Sequence, residues 1–66
     1  MIKEYGKLVR DILAAHGCYF IKHGKGDHER WHSPINNHNV TVNGKILSRH
    51  EANEVLKQAG IKERIR

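Results

Sequence analysis

Cys18-Tyr19-Phe20-Ile21-Lys22-His23, then Gly24-Lys25-Gly26-Asp27, then His28-Glu29-Arg30-Trp31-His32-Ser33 with Pro34 closing the run, is the stretch on which the fold turns. The first six residues are rich in aromatic and β-branched side chains and read as a strand. Gly24 and Gly26 are free to take positive φ, so residues 24–27 read as a turn. The next six residues read as a second strand, which Pro34 ends. The two strands therefore form an antiparallel hairpin.

Outward from the hairpin, residues 35–39 make a polar connection with three asparagines. Asn39-Val40-Thr41-Val42 alternates strictly and predicts a third strand, and Asn43-Gly44 a turn after it. Upstream, Tyr5, Leu8, Val9, Ile12 and Leu13 draw one apolar stripe, which predicts a helix over residues 3–16. Gly6 weakens its first turns by roughly 1 kcal/mol relative to Ala, and Gly17 stops it. Downstream, Ser48-Arg49-His50-Glu51 reads as a capping box. Ala52, Val55, Leu56 and Ala59 follow at i, i+3, i+4 and i+7, and Gly60 supplies the C-cap. The basic residues 61–66 are expected to fray or to add a short turn. The predicted class is α+β: helix, three antiparallel strands, helix, with both helices on one sheet face and the other face open to solvent. That order is the one found in double-stranded-RNA-binding domains, although order alone proves no function.

Size and composition bound the chemistry. Sixty-six residues make a single domain, 1–66. No room remains for a cofactor domain beside a substrate domain, so no cofactor is expected. The one cysteine, Cys18, allows no internal disulfide, and such a residue is more often a small buried apolar group than a nucleophile. No long apolar run is present, so neither a signal peptide nor a membrane span is expected, and the natural address is the cytoplasm. Twelve Lys and Arg against seven Asp and Glu give +5, with six histidines in reserve. That balance favours a polyanion partner.

Period two sorts the second strand into faces. His28, Arg30 and His32 share one, and Glu29, Trp31 and Ser33 share the other. Trp31 is the best core anchor. If it points at the helices, the other three residues form a phosphate-binding strip on the open face, with Lys22 and Lys25 beside it. Histidine suits RNA cleavage because the RNA's own 2′-hydroxyl can attack the adjacent phosphate. One group must take that proton and another must protonate the leaving 5′-oxygen, and imidazole does either near neutral pH. Lys25 and Arg30 flank His28 and can steady the phosphorane charge. Backbone N–H groups of residues 24–26 can add an anion nest. A zinc site is the competing reading of the histidines, but His28 and His32 lie about 13 Å apart on a strand, and Cys18 has no second cysteine near it. No metal is expected. Arg49 and His50 stand at a helix N-terminus without an obvious structural reason and join the RNA-contact candidates.

Several of these residues resemble a known family. Gly26-Asp27-His28 with Trp31 and Pro34, the strand Val40-Thr41-Val42, the run Ser48-Arg49-His50-Glu51-Ala52-Asn53 and the ending Leu56-Lys57-Gln58-Ala59-Gly60-Ile61 are similar to the HicA toxins of toxin–antitoxin pairs. The resemblance implies a double-stranded-RNA-binding-like fold and an mRNA interferase whose functional histidine maps onto His28. It also implies a HicB-like antitoxin that masks the active face. The substrate would be mRNA, with no membrane and no DNA contact by this chain alone. Asp27 stands where the family has serine, and its carboxylate would repel phosphate and either push His28 towards the proton-donating role or weaken it. Asn43 stands where proline often follows the third strand.

Two other readings stay open. One is a non-catalytic RNA-binding module that holds RNA by shape and phosphate contacts. The other is a basic interaction partner for an acidic protein, which is compatible with an antitoxin.

Overall fold

The computed structural model describes residues 4–66. The first helix, α1, spans Gly6–Ala15, so residue 3 of the expected helix lies outside the described residues. Strands β1 (Tyr19–His23), β2 (Glu29–Ser33) and β3 (His38–Val42) follow, then α2 (Arg49–Gln58). The strands form one antiparallel sheet in the order β1-β2-β3, with β2 central. The α+β reading therefore holds.

One face of the sheet carries the core. Val9, Ile12 and Leu13 of α1 meet Trp31, Val40 and Val42 of the sheet and Ala52, Val55 and Leu56 of α2. Leu13, Ile46 and Leu56 are among its largest fully buried side chains, and burying each contributes about 1.5–3 kcal/mol. The stripe of α1 is narrower than its sequence suggests, because Leu8 is 45% exposed. Leu8 flanks the stripe, and no third layer covers that side. Gly6 has a close-approach role: a Cβ there would collide with the Glu4 carboxylate and the Arg10 guanidinium. Glu4 accepts from the N–H groups of Gly6 (2.7 Å) and Ile46 (3.2 Å), which ties the start of α1 to the loop before α2.

The Ser48 cap and the Gly60 stop of α2 form as the sequence indicates, but the Glu51 half of the capping box and the tail beyond Gly60 do not. Ser48 Oγ accepts from the N–H groups of His50 and Glu51, as an N-cap should. The reciprocal half of the capping box is replaced, however, because the Glu51 carboxylate accepts from Asn43 Nδ2. Asn43 also offers its carbonyl to Arg10 Nη2 at 3.1 Å, so it links the end of β3 to both helices. The tail does not fray. Ile61 and Ile65 are buried, and the Asn53 amide clamps Ile65, donating to its carbonyl at 3.1 Å and accepting from its N–H at 2.8 Å.

One irregularity positions the site. Tyr19 pairs with His32 and Phe20 with Trp31, but Lys22 pairs with Arg30, so the register shifts between Phe20 and Lys22 and leaves Ile21 as an extra residue. Strict alternation would put Lys22 on the helix face beside Phe20. The bulge returns it to the open face.

Candidate functional site

The hairpin turn sets the first candidate residue, His28. The Gly24 N–H donates to the His28 carbonyl at 2.8 Å, and the His28 N–H donates to the Lys25 carbonyl at 3.2 Å. Gly26 takes φ +65°, the left-handed conformation that the sequence reserved for a glycine in this turn. His28 thus closes the hairpin just before β2 rather than lying within it. Its side chain is exposed, and among the described residues it has no hydrogen-bonded protein partner.

Glu29 and Trp31 fix which face is which. The Trp31 indole N–H donates to Glu29 Oε1 at 3.0 Å, and Arg10 Nε donates to the same oxygen at 3.0 Å. Burial works to raise the Glu29 pKa, but the hydrogen bonds from Trp31 and Arg10 and the Arg10 charge outweigh it and hold the carboxyl below its usual value. Trp31 and Ser33 are buried, and the Ser33 hydroxyl donates to the Ala59 carbonyl at 2.6 Å. With that face sealed against the helices, Arg30 and His32 stand on the other.

Across the open face the side chains form two rows. Lys22, Arg30 and Thr41 share one row of the register, and Tyr19, His32 and Asn39 share the next. Arg30 Nη1 donates to Thr41 Oγ1 at 3.1 Å, which steadies the guanidinium while leaving its other N–H groups free. His32 Nδ1 lies 2.7 Å from Asn39 Oδ1, the imidazole N–H donating to the amide oxygen. The Tyr19 and His32 rings meet at 5.4 Å between centroids.

Lys22, Lys25, His28 and Arg30 line one groove of about 580 Å³, completed by Ile21, Gly24, Asn39 and Thr41. Four of the residues singled out from the sequence thus converge, three of them cationic and one an imidazole. His32 faces the same way but lies beside the groove. Arg49 and His50 stand apart from it at the start of α2, and His50 lines a separate groove of about 530 Å³ between α2 and the C-terminal segment. Asp27 is not among the walls of the hairpin groove. Its carboxylate packs over Gly44, where a Cβ would lie 2.5 Å from Asp27 Oδ2, so its nearness to His28 in sequence is not nearness inside the groove. Sequence reasoning passed over Thr41 and Asn39, although the alternation that buries Val40 and Val42 points both outward.

Among the described residues, no three His, Cys, Asp or Glu side chains are grouped so as to hold a metal ion, and no helix is long and apolar enough to cross a membrane. Cys18 is buried in the core.

No curated protein and no solved structure matches the chain. One family model, described as the HicA toxin of bacterial toxin-antitoxin, matches residues 6–61. That span runs from the first residue of α1 past the end of α2 and takes in the whole sheet and its cationic groove. The chain belongs to the HicA toxin family of bacterial toxin–antitoxin systems.

Proposed function

We propose that the chain is a metal-independent endoribonuclease that cleaves mRNA, with His28 as its catalytic residue. The observation that carries this reading is the convergence of Lys22, Lys25 and Arg30 around an exposed imidazole in one open groove. In the reaction, the 2′-oxygen of the substrate attacks the adjacent phosphorus. The bond to the 5′-oxygen breaks, leaving a 2′,3′-cyclic phosphate and a 5′-hydroxyl. His28 carries one of the two proton transfers, from the 2′-oxygen or to the 5′-oxygen. The three cations stabilise the charge that grows on the phosphoryl oxygens. DNA lacks the attacking hydroxyl and is not a substrate. His32, Arg49 and His50 serve as outlying RNA contacts. A HicB-like antitoxin holds the toxin inactive by covering the open face, and the protein works in the cytoplasm, where mRNA is found.

Expressing the chain alone should arrest growth, and His28→Ala should lift the arrest while the purified variant keeps the circular-dichroism spectrum of the parent. Cleavage in vitro should continue in EDTA and leave cyclic-phosphate ends. A folded His28→Ala protein that is still toxic sinks the mechanism.

A second reading, an RNA-binding module without catalysis, draws support from the His28 imidazole, which no protein group orients. Labelled RNA that stays bound and intact through long incubation would select it.

A further inference from the structure

The row next to the cationic groove holds no lysine or arginine. Tyr19 is 56% exposed on the solvent side of the sheet, and its ring tilts at 46° to the imidazole of His32. His32 is in turn fixed through Nδ1 by the Asn39 carboxamide. Among the described residues, neither His32 Nε2 nor Asn39 Nδ2 has a protein partner. The ring lies on the open side of the sheet, outside the hydrophobic core. Its outward face is a stacking platform already ordered by its neighbours, which lowers the entropy cost of binding a second flat ring.

Placement decides what that ring belongs to. Arg30 and His32 are two residues apart on β2, so the two rows lie about 7 Å apart along the strand. That is roughly the length of one sugar–phosphate unit. A strand with a phosphate on the Lys22–Arg30–Thr41 row can therefore lay the neighbouring base on the Tyr19–His32 row, with Asn39, shared between the two, facing the base edge. A base inside a duplex has both faces covered and cannot stack there.

We infer that Tyr19, with His32 and Asn39 behind it, is a nucleobase-stacking subsite, and that the RNA taken by this face is single-stranded. The inference rests on the RNA-cleaving reading for its ligand class and adds the form of the RNA and the residue that holds its base. It runs against the simplest expectation from the fold, since double-stranded-RNA-binding domains are named for duplexes.

The test measures binding rather than cutting. The intact protein is titrated against a fluorescein-labelled 2′-O-methyl RNA strand, which has no free 2′-hydroxyl for self-cleavage, and against the same strand in a duplex. Wild type should bind the single strand more tightly. Tyr19→Ala should weaken that binding about 5- to 150-fold, the range of one base–aromatic stack, and leave duplex binding unchanged. Tyr19→Phe should restore it, because the ring and not the hydroxyl does the stacking. Tyr19 lies outside the core, and a thermal melt of Tyr19→Ala matching wild type would separate lost stacking from lost fold. Equal affinity for strand and duplex overturns the inference. So does a Tyr19→Ala affinity within twofold of wild type, or a loss confined to antitoxin binding, which would make the patch a protein-docking surface. A protein that binds single strands through Tyr19 but never cuts RNA keeps this inference and sinks the nuclease. One that cuts RNA and ignores Tyr19 does the reverse.

Discussion

His28 and Glu29 are neighbours with opposite surroundings. His28 is exposed at the turn, whereas Glu29 Oε1 takes hydrogen bonds from Trp31 and Arg10 at 3.0 Å each. The Glu29 carboxyl is held below its usual pKa, so its contribution to stability is full above the unfolded carboxylate value. It fades as pH falls through the lowered folded value. The urea midpoint should therefore drop as the solution is acidified below about pH 4.3, and Glu29→Gln should be less stable at neutral pH by about 1–3 kcal/mol. The variant should also show a flatter acid limb. An acid limb identical in variant and parent would remove Glu29 from the account. Glu4, also held below its usual value by the N–H groups of Ile46 and Gly6, pulls in the same direction at the surface. The facing of β2 was legible in the sequence because Trp31 fixed the parity, and through it the open-face positions of Arg30 and His32. The Arg10–Glu29 pair was not, since nineteen residues separate its partners and no local pattern connects them.

At the scale of elements, the readings that held rest on short-range chemistry: the hairpin turn, the glycine stops and the Ser48 cap. Those that failed needed a partner distant in sequence. The Ile21 bulge has no symbol of its own in the residue string, and Lys22, though singled out, reaches the groove only because of it. The tail reads as basic and loose, yet Asn53 binds the backbone of Ile65, twelve residues on, in both directions. Asn53→Ala should cost about 1–2 kcal/mol for the two lost bonds. It should also speed hydrogen exchange at the Ile65 N–H while the α2 amides keep their protection. Unchanged exchange at Ile65 would mean that burial of Ile61 and Ile65 alone holds the segment. Asn43, noted from the sequence only as a departure from a proline, proves to be the junction of β3, α1 and α2.

As a whole the molecule is a slab of 35 × 27 × 16 Å, with two helices on one broad side and a cationic, aromatic sheet on the other. On the proposed RNA-cleaving reading, so small a face would contact few phosphates, and its affinity for RNA should be modest and fall with salt at a shallow slope. Each phosphate contact on a single strand adds about 0.7 to the slope of log K against log salt. Lys25→Gln should flatten that slope by about one contact and weaken binding evenly across RNA sequences. Lys7→Gln, on α1 and paired with Asp11, should change neither. Equal slopes for Lys25→Gln and wild type would place the phosphates elsewhere. The bulge at Ile21 has a second effect, on self-association. β1 is one of the two outer strands of the sheet and is exposed along its whole length, the kind of edge on which another chain can add a strand and seed aggregation. An extra residue breaks the even spacing of the outward N–H and C=O groups, and a lysine beside it makes apolar pairing costly. The irregularity that carries Lys22 to the open face thus also guards the β1 edge, so straightening β1 would take a cation from the groove and invite fibrils at once.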